Sequence, residues 1–234
     1  MYGKWEHGTF SIVACDADRG FWGVAVSTKP ASVGAIVPWA EWRTGAIATQ
    51  ARSNYYYGPK GLELLRKGYS AEEAVRRLTG SDPQREHRQL GMVDRRGRAA
   101  AWTGAKCTEY ALHQTGEGYS CQGNMLAAIS VVPAMATAFE SARGTLGSRM
   151  LAALKAGARN GGDKRGMESA ALLVVRREPW FDRAWSDYWV NLRVDRHPHP
   201  IQELERLLRR DEAETRRFLA NRSAARRKRK KSRS

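Results

Sequence analysis

The chain has 234 residues, 42% of them apolar, and carries a formal net charge of +16. That length and composition suit one large globular domain with a sizeable core. They argue against a membrane-spanning helix, since no run approaches 18 consecutive apolar residues, and three cysteines are too few for a disulfide framework. The start, MYGKWEHG, has no apolar signal region, so a reducing cytoplasm is the expected setting.

In chain order, TFSIVACD and FWGVAVSTK are β-rich runs joined by ADRG, whose turn chemistry predicts a hairpin with Gly20 at positive φ. GAIVPWAEWRTGAIATQAR reads as further strand, broken near Pro38 and Glu41-Trp42. YGPKGLELLRKGYS places Pro59 near a helix start and Gly68 near its end. SAEEAVRRLTG opens with the capping-box spacing Ser70 to Glu73 and carries Ala71, Ala74, Val75 and Leu78 as an apolar stripe.

Residues 88–103 read as a second hairpin turning at DRRG, and residues 104–124, with four glycines, as loop. SVVPAMATAFESA and TLGSRMLAALKAG are candidate helices. ESAALLVVRR reads as a buried strand and YWVNLRVD as a half-buried one. Pro200 starts a last helix with Leu204, Leu207 and Leu208 inside. Helices arriving in pairs between strand regions do not fit a Rossmann alternation. They predict a layered α+β domain of mainly antiparallel strands. The expected division is a leader at 1–8, a domain at 9–215, and a basic, disordered tail at 216–234. The tail includes Arg226, Arg227, Lys228, Arg229, Lys230 and Lys231. Residues 222–234 hold eight Lys or Arg and no acid, so half the excess charge sits there. Such a tail either makes salt-sensitive, sequence-independent contact with a polyanion or serves solubility.

No phosphate-binding or dinucleotide glycine loop, nucleophile elbow or His-Glu-x-x-His motif is present, so no cofactor is implied. His197 and His199 flank Pro198 and read as an exposed turn sooner than a metal site. At Gly8-Thr9 two readings stand. Either the leader is ragged and the domain begins at Phe10, or the bond after Gly8 breaks. Breakage would give Thr9 a hydroxyl and a free α-amine of pKa about 8, a nucleophile and its own base.

The segments TFSIVACD, GVAVSTK, VGAIVPWA, ATQA, YGPKGLELL, RQLGMVD, TGAKC, QGNML and GGDKRGMESAALLVV, in that order, resemble the bacterial and archaeal family called domain of unknown function 1028. The resemblance spans Thr9 to about Leu208. It implies the fold of the N-terminal nucleophile hydrolases, a four-layer αββα sandwich of two mainly antiparallel sheets. Relatives in that larger group include proteasome β-subunits and asparaginase-like amidases, which cut amide bonds with an N-terminal Thr, Ser or Cys. The resemblance places the nucleophile at Thr9, with an amide or peptide as substrate and a homo-oligomer as a plausible assembly. Members often begin at the threonine itself. This chain departs from that with eight preceding residues, and Gly8-Thr9 resembles the self-cleaving junction of the proteasome relatives. By the same analogy Lys29 would stabilise the Thr9 oxygen, or else make a surface ion pair. Its spacing matches those relatives poorly, and members more often have Arg here.

Other candidates are read beside Thr9. Ser27 and Ser11 either point toward it or are ordinary strand hydroxyls. Asn54 and Asn124 are candidate oxyanion donors or loop caps, and Gln50 is a candidate for the cleft. Tyr56, in the run Tyr55–Tyr57, walls a pocket or edges the core. His113 stands where the family motif has histidine and is equally readable as a helical cap or a buried hydrogen bond. Arg165 meets an anionic substrate group, or is held internally by Asp163. Glu168 stands where members more often have Gln. A catalytically inactive scaffold of the same fold is the competing class.

Overall fold

The computed structural model describes residues 8–176 and 187–231, with side chains of the last segment described to Arg222 and Ser223. Of the leader only Gly8 falls within these bounds. Trp180 and Trp185, of the aromatic run WFDRAWSDYW, lie outside them.

β1 (Thr9–Asp16) and β2 (Phe21–Thr28) form the expected hairpin, with Gly20 at φ 75°. The 33–51 run resolves into a short 3-10 turn, β3 (Pro38–Glu41) and β4 (Gly45–Ala51). α1 (Tyr57–Arg66) and α2 (Ala71–Gly80) follow, and α2 carries the complete capping box between Ser70 and Glu73. β5 (Arg88–Asp94) and β6 (Ala99–Thr103) make the second hairpin.

Residues 104–124 are not simply loop. They contain a third hairpin, β7 (Leu112–Gly116) and β8 (Tyr119–Asn124). β8 lacks the alternating apolar pattern because one face carries Ser120, Gln122 and Asn124, all buried among other polar side chains. α3 (Val131–Ser141), α4 (Leu146–Arg159), β9 (Ser169–Val175), β10 (Tyr188–Val194) and α5 (Pro200–Lys231) complete the described elements.

The strands form two antiparallel sheets, β10-β9-β2-β1-β8-β7 and β3-β4-β5-β6. Period-two alternation sorts their side chains into three apolar layers. Phe10, Ile12 and Ala14 of β1 join Leu172 and Val174 against α3, α4 and α5. Val13, Cys15, Val24 and Val26 face Ala46, Ala48 and Val93 of the other sheet. Ile47, Leu90 and Met92 face α1 and α2. Helices therefore cover the outer face of each sheet, and the two sheets face one another.

α5 buries Ile201, Leu204 and Leu208 and then continues past residue 215, where the sequence places the end of the folded domain. Its backbone is helical to Lys231. The cause is local: from Arg209 onward there is no Gly or Pro, and Ala, Arg, Lys and Glu are good helix formers. The side chains of Arg226, Arg227, Lys228, Arg229, Lys230 and Lys231 lie outside the described residues. No helix among the described residues is long and apolar enough to cross a membrane.

Candidate functional site

Thr9 begins β1 at one end of the inter-sheet layer and is 1% exposed. Its strand neighbours are Thr28 on β2 and Asn124 on β8. Paired residues share a sheet face, so Thr28 and Asn124 lie on the inter-sheet face with Thr9. The Thr9 hydroxyl donates to Thr28 Oγ1 at 3.2 Å, and the Thr28 hydroxyl donates in turn to the Gly8 carbonyl.

Gly8 is buried. Its carbonyl also accepts from Arg165 Nη2 at 3.1 Å. A β-carbon at Gly8 would lie 2.8 Å from both Asp163 Oδ1 and Met125 Cβ, so only glycine fits between them. Asp163 holds Arg165 with Oδ1 to Nε at 3.1 Å and Oδ2 to Nη2 at 2.8 Å. Its Oδ2 also accepts the Lys29 backbone N–H at 3.0 Å. Asp163 and Arg165 thus pair internally, the second of the two readings, and that pair aims the guanidinium at the bond preceding Thr9.

Beneath Thr9 lies a layer of buried amides. Gln50 Nε2 donates to the Thr9 carbonyl at 3.3 Å and to Gln89 Oε1 at 2.8 Å, while Gln50 Oε1 accepts the Ser11 hydroxyl at 2.5 Å. Asn124 Nδ2 donates to Gln89 Oε1 at 3.0 Å. Gln122 Nε2 reaches Ser11 Oγ at 2.6 Å. Buried polar groups are tolerated when hydrogen-bonded, and such a network holds its members in one arrangement. Two non-glycine residues in the left-handed region, Ala51 (φ 64°) and Met125 (φ 52°), directly follow Gln50 and Asn124. Each costs roughly 1–2 kcal/mol, and such outliers concentrate at functional sites.

The remaining candidates divide. Ser11 joins the network. Ser27 does not, because it pairs with Phe10 and faces the helical layer, donating to the Ser169 carbonyl at 2.9 Å. A step of one residue along a strand reverses the face. Lys29 is committed elsewhere: its Nζ lies 2.5 Å from Glu168 Oε1, with the lysine side chain 42% exposed. The Lys29 hydrogen bond and charge hold the Glu168 carboxyl below its ordinary range. This is the surface ion pair, and it turns the Lys29 ammonium to Glu168.

Asn54 caps its loop by accepting the Tyr56 N–H and donating to Asp82 Oδ2 at 3.0 Å. Tyr56 is 69% exposed beside a separate cavity of ≈ 200 Å³ that Asn54, Lys60 and Asp82 also line. His113 is exposed on β7. It touches the network at one remove, with Nδ1 2.9 Å from Thr103 Oγ1, which accepts from Gln89 Nε2 at 2.9 Å. His197 Nδ1 accepts the His199 N–H at 3.0 Å, which is turn geometry.

Sequence reasoning missed Thr28, Gln89 and Gln122. Thr28 was recoverable from the hairpin: pairing Asp16 with Phe21 across the turn forces Thr9 opposite Thr28. Gln89 and Gln122 carry a weaker signal, as polar residues inside otherwise small or apolar strands. The cysteines offer no rival nucleophile in the core. Burial, with Asp94 and Asp16 nearby, pushes Cys15 up to about 12, and burial pushes Cys121 well above its ordinary value.

A family model described as "Family of unknown function (DUF1028)" matches residues 9–204, beginning at Thr9. The crystal structure of a protein from Silicibacter pomeroyi, itself described as DUF1028, superposes with a TM-score of 0.78 at 37% identity. It covers 87% of this chain and 85% of that one. No curated protein matches the chain.

Proposed function

The chain belongs to the DUF1028 family, and from that premise and the surroundings of Thr9 we propose an N-terminal-threonine amidohydrolase, of the N-terminal nucleophile type, that acts on an amide or peptide bond. The observation that carries this reading is the Gly8 carbonyl, hydrogen-bonded by both the Thr28 hydroxyl and the Arg165 guanidinium, immediately before the Thr9 hydroxyl. The succession of helices, two facing antiparallel sheets and helices supports the same resemblance in fold.

In the proposed maturation, Thr9 Oγ attacks the Gly8 carbonyl carbon. Negative charge gathers on the Gly8 oxygen, where Thr28 and Arg165 already donate. The C–N bond breaks, its nitrogen takes up the proton given up by the Thr9 hydroxyl, and Gly8 is left as an ester on Thr9 Oγ. Water hydrolyses the ester. The leader departs as a carboxylate and Thr9 keeps a free α-amine. On a substrate, that amine accepts the Thr9 hydroxyl proton and returns it to the leaving nitrogen. Gln50 holds the nucleophile's backbone through the Thr9 carbonyl, and Asn124, its partner on β8, is fixed beside it by Gln89.

Mass spectrometry and N-terminal sequencing of the purified, untagged chain test this. The expected product begins at Thr9, and Thr9→Ala should leave the chain whole and devoid of amidase activity. A folded wild-type chain that keeps its leader would instead favour a scaffold. The close fit of Gly8 against Asp163 and Met125 is the observation on that side.

A further inference from the structure

A second cavity lies at the opposite end of the six-stranded sheet. Thr9 and Asp16 bound β1, so about 23 Å of strand separates the two places. The cavity encloses ≈ 470 Å³ between the ends of β1 and β9, the starts of β2, β10 and α4, and the middle of α5. That volume falls within the range of about 300–1,000 Å³ usual for small-molecule sites. Its wall is mainly apolar, with Phe21, Leu146, Val174, Val190 and Leu219 among the lining residues.

The charges around it can be assigned one by one. Arg19 faces Asp16 at 3.6 Å. Arg176 lies over the rings of Phe21 and Trp189, 4.6 and 5.3 Å from their centroids, so the aromatic faces already hold a cation. Glu212 accepts the Thr145 hydroxyl at 2.6 Å, which sets a carboxylate at the start of α4, and its other oxygen is 4.0 Å from Arg216. Glu214 pairs with Arg210 at 2.9 Å. Asp211 is different. Among the described residues its carboxylate has no hydrogen bond and no ion pair, yet it lines the cavity and is partly buried. Burial, and then the nearby Glu214 and Glu212, raise its carboxyl above the ordinary range. An apolar chamber with one uncommitted carboxylate matches a particular kind of guest.

We propose that this cavity is a second ligand site, separate from Thr9, that takes a small amine: an apolar or aromatic body in the chamber and one cationic nitrogen on Asp211. A carboxylate-bearing ligand of the same shape is repelled by the same group.

The test is calorimetric titration of the full-length protein at neutral pH with phenethylamine, 2-phenylethanol and phenylacetate, three probes of one shape and different charge. The amine should bind about tenfold more tightly than the alcohol, the factor expected of a charged hydrogen bond in a partly buried site. Phenylacetate should bind more weakly than either. Asp211→Asn should bring amine and alcohol level. Thr215→Trp, which fills the chamber from the side of α5, should abolish binding of all three while circular dichroism stays unchanged. Thr9→Ala should titrate like the wild type, which separates this site from the catalytic reading. Equal binding of amine and alcohol to the wild type, an amine advantage that survives in Asp211→Asn, a preference for phenylacetate, or no binding of any probe would each overturn the proposal.

Discussion

At Thr28 one hydroxyl accepts from Thr9 and donates to the Gly8 carbonyl, so it links the proposed nucleophile to the oxygen on which charge would develop. Thr28→Val keeps the shape and removes the link. It should slow release of the leader by about 10²-fold or more, the usual effect of losing one oxyanion donor, as followed by mass spectrometry of freshly made protein. Ser27→Ala is the matched control. It removes a single hydrogen bond on the other face and should cost about 1 kcal/mol of stability, with release unchanged. Turnover by the matured protein should rise with pH through about 8, where the freed α-amine loses its proton. Thiol chemistry gives an independent check on the fold at this scale. Cys15 and Cys121 are buried, with raised pKa values, and Cys107 is half-buried. A thiol reagent should therefore react promptly with one cysteine per native chain, Cys107, and with all three after unfolding.

Among the elements, β8 illustrates how a strand can escape a hydrophobic pattern. Gln122 projects toward the second sheet into space that exists because β5 has glycine at position 91, where a β-carbon would collide with the Gln122 amide. Gly91→Ala should accordingly destabilise the protein by about 1–3 kcal/mol, read as a shift in the urea midpoint. The α1–α2 connection to β5 turns on another buried group. Asp82 accepts from the Gln84 N–H at 2.8 Å, Asn54 at 3.0 Å, Tyr57 at 2.9 Å and Arg88 at 3.1 Å. Burial alone would raise its carboxyl, and these bonds outweigh burial and lower it. A lowered folded-state value means that the group stabilises the protein above its unfolded value of about 3.9. That contribution is lost as pH falls through the lowered value. Urea midpoints measured from pH 5 to pH 2 should fall more steeply for the wild type than for Asp82→Asn. Asp82→Ala should cost about 3–5 kcal/mol, because it strands the largely buried Arg88 guanidinium.

On the scale of the whole molecule, three apolar clusters join the two antiparallel sheets and their helices, and the two sites proposed here lie at opposite ends of one sheet. The charge is as unevenly placed as the chemistry. Removing residues 222–234 takes away eight cations and leaves a formal +8. Since the core contacts of α5 end near Leu208, that deletion should leave the melting temperature unchanged. Any retention on a heparin column should then fall sharply and elute at lower salt. Unchanged retention would move the basic surface onto the domain itself.

The elements were largely legible in the amino-acid sequence. The first two hairpins, the capped α2, the paired helices α3 and α4, and the strands β9 and β10 all follow from local turn chemistry and periodicity. So does the α+β class. These are short-range signals that each segment carries alone. Thr9 stood out for its chemistry, as a threonine that would own its base if freed, and its role is the proposal made above. Hidden in the sequence were β8 and its amide layer, because their polar side chains are satisfied by partners on another sheet. The choice of Thr28 over Ser27 depends on strand register, and the commitment of Lys29 to Glu168 depends on a residue 139 positions away. Only the tertiary structure decides which polar groups share a face and which charges are already paired, since both depend on contacts distant in sequence. The same holds for the cavity at Asp211, whose walls come from six elements that no local pattern relates.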